Sequence, residues 1–584
     1  MPTDDQKRTG FSRRDFIKGP AIAAGGTVLG GTAAGAATAT GVTVLGNAPG
    51  SLEKGRSACD DSQDLALING KFLTMDNKNS VLSAVAIRNG RIAEVGRHAQ
   101  AIGSCAKTIN LRGATVIPGL IDSHIHFIRC GINPGHEVRI IETATSIAEL
   151  QQMISDRART VPAGEFITCI GGWNRNGFAE KRLPTPSELD AAAPQNPVYL
   201  SETGGGGQAV TNTSGIAFFQ SQGVTVDLNA GTLNATQGLA ALQAVQTDAD
   251  KQRGTGEVMD FASSLGLTMI HDHGGLSGLT SYQYALNLWR QGNLKVRQRP
   301  FFWSGDDTGF SIEQARILNN FNRLGDDFWR PIGVGERLNT STTNPGFVDA
   351  CKFAASNGWT LTQHSLTLAE VQFHVAAYQQ AATVGPIDQL RWSLCHVNPI
   401  TDDLIQAVVD LGIGVNIQGT PYTSALGSTP SGPPFRKLLD AGIPAGGGSD
   451  ATNVAALNPW LMMYYMTTGK NNAGDVLNPG QTISRLEALR LYTIGSAYLS
   501  FDDDRLGTIE EGKLADLAVL SDDPLKVSDD KLRKISSVLT LQAGTVVHWR
   551  KHLVGAIGQI NRKKSDRENA HQRAMSAPHR TLVS

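Results

Sequence analysis

The sequence predicts an α/β chain: a TIM-like (β/α)8 barrel that carries a small β-sandwich assembled from both ends. Three observations point there. Short apolar runs alternate with helix-like segments across 116–499, the pattern of parallel βα units. The flanking stretches 63–115 and 500–557 instead read as short strands separated by turn residues. The first central run, Val116-Ile-Pro-Gly-Leu-Ile-Asp-Ser-His-Ile-His126, ends in two histidines one residue apart. On an extended strand, residues i and i+2 share a face.

Taken in order, the elements begin with a leader. Ser12-Arg13-Arg14-Asp15-Phe16-Ile17-Lys18 precedes an uncharged Ala/Gly/Thr-rich stretch from Gly19 to Leu52. A twin arginine before a weakly apolar segment has the form of a Tat-type signal, and Ala34-Gly35-Ala36 and Ala37-Thr38-Ala39 offer small-residue cleavage sites. Residues 1–50 are therefore expected to direct export, giving a periplasmic or extracellular protein. The segment is too rich in Gly and Thr for a good spanning helix, so no stable membrane span is expected after processing.

In the β region, Asn69-Gly70 separates Asp64–Ile68 from Lys71–Met75, and Asn89-Gly90 separates Ala84–Arg88 from Arg91–Val95. Asn-Gly between apolar runs is a strong hairpin signal. Gly507–Leu520 and Val538–Trp549 return to this style. Residues 561–584 are polar without periodicity and are expected to be disordered.

Eight runs supply the barrel strands: Thr115–Ile121, Leu267–Ile270, Lys295–Trp303, Pro331–Gly335, Thr360–Thr362, Arg391–Cys395, Ile413–Ile417 and Ile443–Gly446. Helical segments such as Ile312–Arg323 and Thr401–Leu411 lie between them. Eight βα repeats close on themselves. Residues 127–265 form a long insertion after the first strand, with extended segments at Phe166–Trp173 and Val198–Glu202.

Composition narrows the function. The 584 residues carry a formal net charge of −1 with both signs interspersed, which leaves no electrostatic footprint for nucleic acid or an anionic membrane. The cysteines (59, 105, 130, 169, 351 and 395) form no CxxC pair, so neither a zinc ribbon nor a disulfide scaffold is indicated; export would still permit an isolated bridge. The partner expected is a small-molecule substrate; oligomeric state is not legible.

In such a barrel the chemistry sits at the C-terminal ends of the strands. With 13 histidines, chance supplies roughly 0.3 His-x-His pairs, so the pair gains meaning only from what the other strand ends carry. His364 ends Thr360-Leu-Thr-Gln-His, His396 ends Trp392-Ser-Leu-Cys-His, Glu336 ends Ile332-Gly-Val-Gly-Glu, and Asp450 ends Gly446-Gly-Gly-Ser-Asp. Mixed imidazole and carboxylate ligands suit Zn²⁺, and also Mn²⁺ or Fe²⁺. Cys395 should point to the opposite side of its strand from His396 and is assigned to packing. The acidic run Asp502–Asp504 reads as a solvated loop.

The ordered set of motifs resembles the amidohydrolase superfamily, and within it the YtcJ-like (amidohydrolase 3) branch of metal-dependent hydrolases. The carrying residues are Pro118-Gly-Leu-Ile-Asp-Ser-His-Ile-His126, Gly171-Gly-Trp-Asn174, Pro197-Val-Tyr-Leu200, His364, His396, Gly448-Ser-Asp450 and Gly507-Thr-Ile-Glu-Glu-Gly-Lys-Leu-Ala-Asp-Leu517, across roughly residues 63–555. The resemblance implies that His124, His126 and Asp450 hold one divalent metal, most simply Zn²⁺, and His364 with His396 a second, giving one or two ions per chain. Many relatives bridge two metals with a carboxylated lysine at the fourth strand end. Here Glu336 stands at that place and is expected to bridge. Branch members also carry Asp-Gly-His near Thr203-Gly-Gly-Gly-Gly-Gln208, before a pair that aligns with Asn212-Thr213; this chain has glycines instead, with Gln208 as a partial substitute.

By the same resemblance the chain is an enzyme that hydrolyses a non-peptide C–N bond, an amide or N-substituted formamide, with metal-activated hydroxide and Asp450 as the catalytic proton carrier. Trp173, His273 and Tyr422 are candidates for contact with substrate; His273, in His271-Asp272-His273, is read as supporting or pocket-lining rather than as a metal ligand. Two alternatives stand beside this reading: an exported binding protein or pseudoenzyme on the same fold, and a metal-dependent esterase, lactonase or deaminase.

Overall fold

Eight short runs, each followed by a helix or a long excursion, form parallel strands: β1 Leu120–Ile125, β2 Leu267–Asp272, β3 Arg297–Phe302, β4 Gly333–Val334, β5 Thr362–Ser365, β6 Ser393–His396, β7 Gly414–Gln418 and β8 Ala445–Gly448. The computed structural model describes residues 65–550 apart from 98, 100–106, 204–206, 275–278, 304–309, 339–345, 425–431 and 452. The expected leader, the expected disordered tail, the glycines 204–206, Cys59 and Cys105 lie outside the described residues.

The strands form two parallel sheets in the orders β4-β3-β2-β1 and β5-β6-β7-β8. Backbone bonds cross both seams between them. At one, Val334 bridges Leu361, and the His364 N–H donates to Glu336 O (2.9 Å). At the other, the Asp450 N–H donates to His124 O and the His126 N–H to Ala451 O, both at 2.8 Å. Gly448 permits this second approach, since a Cβ there would lie 2.8 Å from the backbone N of His124. The connecting helices carry local start signals. Thr367 and Glu370 form a capping box for Leu368–Ala381, and Thr401 precedes Asp402–Asp410 with two aspartates in the first turn.

The first barrel strand departs from expectation. The apolar run divides at Gly119: Thr115–Pro118 pairs with Lys71–Leu73 and Leu517–Leu520 in another sheet, and β1 starts only at Leu120. Pro118 has no N–H to extend the ladder, and a Cβ on Gly119 would lie 2.2 Å from Thr268 Oγ1 of β2. Both halves are buried on both faces, so hydrophobicity alone shows no break.

The two ends of the chain build a six-stranded sheet from Lys71–Leu73, Val81–Leu82, Thr115–Pro118, Leu517–Leu520, Ser537–Gln542 and Thr545–Trp549. A four-stranded sheet of Leu65–Ile68, Val85–Arg88, Arg91–Val95 and Lys107–Asn110 shares its core, with Leu67, Val85, Phe72, Val116, Leu517 and Leu539 in one buried cluster. Asn89-Gly90 is the expected hairpin turn: Arg88 pairs with Arg91, and both central residues have positive φ, +49° and +76°. Asn69-Gly70 is not. Only Asn69 has positive φ, and Leu65–Ile68 and Lys71–Leu73 pair in different sheets, so this turn passes the chain from one sheet to the other.

The insertion forms its own five-stranded sheet, in which the expected segments supply Ile167–Ile170 and Val198–Ser201. The acidic run is also corrected. Asp502 is fully buried and pairs with Arg299 (2.9 Å), Arg330 (2.8 Å) and Arg505, because β3 places two buried arginines, 297 and 299, opposite the C-terminal segment. No helix among the described residues is long and apolar enough to cross a membrane.

Candidate metal centre

All six expected ligands meet at the C-terminal ends of the strands. His124 lies in β1 and His126 one residue past it; Glu336 follows β4; His364 is in β5; His396 closes β6; Asp450 follows β8. Glu336 occupies the middle. Its Oε2 is 3.2 Å from His124 Nε2, 3.5 Å from His364 Nδ1 and 3.7 Å from His396 Nε2, and its Oε1 is 3.4 Å from His126 Nε2. Asp450 Oδ1 faces the first pair, 3.4 Å from His124 Nε2 and 3.3 Å from His126 Nε2. His396 Nε2 and His364 Nδ1 are 2.9 Å apart.

A surrounding layer of bonds aims these groups. His126 Nδ1 meets Gly274 O (2.6 Å) and His396 Nδ1 meets Gln418 Oε1 (2.9 Å). Each acceptor takes the ring N–H and leaves Nε2 with its lone pair toward the cluster. Asp272 holds the Gly274 N–H (3.0 Å) and the Ile128 N–H (2.8 Å). Asp122 Oδ1 accepts from the backbone N–H of His124 and of Ser449, both at 3.1 Å, and so ties β1 to the segment before Asp450. Asp122 and Gln418 carry only one signal in the sequence: a polar residue two positions from an expected ligand, or at the end of a barrel strand.

The cluster's electrostatics are mutual. Burial works against charge on His126, but Asp450 and Glu336 outweigh it and push the imidazole up to about 9. His396 is raised for the same reasons, whereas burial prevails at His124 and lowers it. Burial would raise Glu336 and Asp450, yet the imidazoles hold both carboxyls well below the usual range. Both ring nitrogens of His124 and Glu336 Oε2 are buried without a hydrogen-bond partner. Such orphaned atoms are costly unless something satisfies them. A divalent cation does: the donor set of four imidazoles and two carboxylates fits one.

The other candidates fall around this centre. His273 is buried beside His124, ring centroids 4.1 Å apart, with Nε2 on Ser123 O (2.8 Å). Trp173 is buried in the insertion's core, stacked on Phe178 at 5.6 Å. Tyr422 is buried against Tyr464. Gln208 accepts from Arg175 (2.6 Å), itself paired with Glu202. Cys395 corrects an expectation: its sulfur lies 3.8 Å from His273 Nδ1, on the same side as the cluster. Strand alternation fails here because β6 ends at His396, whose φ is +70°.

Comparison with known proteins agrees with this geometry. The model of the amidohydrolase family Amidohydro_3 matches residues 107–548. N-substituted formamide deformylase of Arthrobacter pascens is 25% identical over 551 residues, spanning 84% of this chain and 99% of the relative. The putative amidohydrolase YtcJ of Bacillus subtilis is 24% identical, spanning 83% and 99%. Among solved structures, a metal-dependent hydrolase from Pyrococcus horikoshii superposes with a TM-score of 0.54 at 19% identity, covering 80% of this chain and 99% of that one, which shows a shared fold. With the strand-end ligands assembled and most of the chain matched, this protein belongs to the amidohydrolase family and is a metal-dependent amidohydrolase.

Proposed function

We propose that the enzyme hydrolyses the C–N bond of a small amide, with N-substituted formamides as the first class to test. One observation carries the reading: a single carboxylate, Glu336, sits among four imidazoles from four strand ends, with Asp450 facing two of them. The formamide preference is supported by the deformylase relative alone.

In this reading His124, His126 and Asp450 would hold one divalent cation and His364 with His396 a second, with Glu336 within reach of both sets; zinc would suit these ligands. Such a cation would supply an activated water and polarise the substrate carbonyl. The chain's own residues do the rest. Asp450, its side chain 16% exposed, takes the attacking water's proton and then delivers it to the leaving nitrogen. Gly274 O and Gln418 keep His126 and His396 oriented throughout. His273, packed against His124, supports the cluster, and Trp173 and Tyr422 stand as the proposed substrate contacts.

Purified protein should carry one or two divalent ions per chain and release amine from members of an N-formyl and N-acyl amine panel. Metal-free protein from metal-replete culture would favour a binding role. Turnover of esters, lactones or aminated rings with none of amides would move the bond. We further propose that residues 1–50 direct Tat export, that the two terminal sheets form one β-sandwich, and that 116–499 is the catalytic barrel. Replacing Arg13 and Arg14 together with lysine should retain the protein in the cytoplasm; undiminished export would remove the leader reading.

A further inference from the structure

Beside the Glu336 cluster, deeper between the strands, lies a second group of potential ligands with a different character. His124, His273 and Cys395 each offer one ligand atom, all within 4.8 Å of one another, and all three residues are buried. His273 Nε2 meets Ser123 O at 2.8 Å and donates its proton there, so Nδ1 carries the lone pair. That nitrogen is 3.8 Å from Cys395 Sγ. A tetrahedral ion bound through sulfur at ~2.3 Å and nitrogen at ~2.0–2.1 Å sets those two atoms about 3.6 Å apart. The two side chains therefore already span close to one edge of such a site.

Burial, with Glu336 and Asp450 nearby, keeps Cys395 a thiol until a cation displaces its proton, and a chain of polar groups then leads to the sulfur. Asn416 Nδ2 donates to Ser393 Oγ (2.9 Å), and Ser393 Oγ to Thr362 Oγ1 (2.9 Å), which leaves the Thr362 proton for Cys395 Sγ at 3.1 Å. The third member, His124, is shared: in the reading proposed above it belongs to the Glu336 cluster, with Nε2 3.2 Å from Glu336 and 3.4 Å from Asp450, while its buried Nδ1 has no hydrogen-bond partner. The other described cysteines, 130, 169 and 351, stand in no such group.

We propose that His124, His273 and Cys395 form a deep inhibitory site for a soft, thiophilic cation, which draws His124 out of the Glu336 cluster and thereby excludes the ion that cluster holds. Thiolate and imidazole together select softer ions than a carboxylate-rich set does. Coordination releases the thiol proton to solvent and forms no other bond. The two groups compete because they share His124.

The test is a titration of the zinc-loaded, full-length protein with cadmium, followed by X-ray absorption at the cadmium edge and assay of released zinc. The expected result is one sulfur neighbour on cadmium, with zinc appearing in proportion. In Cys395→Ser the sulfur neighbour disappears; His273→Gln keeps the thiol and weakens cadmium binding at least about tenfold. Cadmium with only nitrogen and oxygen neighbours in the wild type, or an unchanged sulfur signal in Cys395→Ser, overturns the site. Sulfur coordination without zinc release overturns the competition.

Discussion

Asp450 is held in a backbone conformation that a residue with a Cβ adopts at a cost. Its φ is +57°, and such a conformation stores about 1–3 kcal/mol. The N–H bond to His124 O and the imidazoles around the carboxylate offset that cost, and together they aim Oδ1 at His124 and His126. Asp450→Asn keeps the size and loses the carboxylate proposed to accept the proton. We expect kcat to fall by about 10²–10⁴ with an unchanged circular dichroism spectrum; near-wild-type turnover would remove the proton role. Glu336 is the other residue on which the centre turns, since its two oxygens reach all four imidazoles. In Glu336→Gln one of those oxygens becomes an amide nitrogen that cannot coordinate. Metal content should drop toward one ion per chain, measured by plasma emission. Full stoichiometry with full activity would end the shared-ligand reading.

At the scale of elements, the candidate site was legible because the expected ligands stand at strand ends, and strand ends can be counted. Every expected ligand joined the cluster even where the strand was misplaced. β5 runs from Thr362 to Ser365 rather than from 360 to 362, yet His364 still faces Glu336. What sequence could not show was pairing. Asn69-Gly70 and Asn89-Gly90 look alike, and only the φ of the glycine separates a hairpin from a crossing between sheets. Nor could it show that the insertion grips the loop that follows Asp450. A Cβ on Gly171, whose φ is +70°, would lie 2.2 Å from Asn453 O, three residues past Asp450. Thr203 Oγ1 donates to that same oxygen at 3.1 Å, and Glu142 accepts the Leu457 N–H at 3.1 Å. The Gly-Gly-Trp motif is thus a close-packing device against the segment that carries Asp450. Gly164 supplies a control, with φ +85° and nothing near its missing Cβ. Gly164→Ala should cost about 1–2 kcal/mol for its backbone alone, with kcat intact. Gly171→Ala should cost more and lower kcat as well; equal effects in denaturation and kinetics would separate the insertion from catalysis.

At the scale of the molecule, the barrel and the C-terminal segment are joined by buried charge. Arg297 pairs with Asp516 at 2.8 Å, and Arg299 with Asp502 at 2.9 Å; all four are buried. Two residues apart on β3, these arginines fasten the barrel to the segment that enters the six-stranded sheet. A buried pair gives little net stability against an apolar substitute, but breaking one leaves a charge uncompensated, at about 3–5 kcal/mol. Asp502 faces three arginines, so its loss exposes the most. Burial alone would raise its carboxyl; Arg299 first, then Arg330 and Arg505, hold it well below the usual range. A carboxyl lowered in the folded state stabilises fully above its unfolded pKa of about 3.9, and that contribution fades as pH falls toward the folded value. Asp502→Asn should therefore lower the denaturation midpoint strongly at neutral pH, and the gap to wild type should narrow on acidification. Asp504, two residues on and 75% exposed, offers the contrast: Asp504→Asn should stay within about 0.5 kcal/mol at every pH. If the two variants behaved alike in urea titrations at neutral pH, the buried network would not be what holds the C-terminal segment to the barrel.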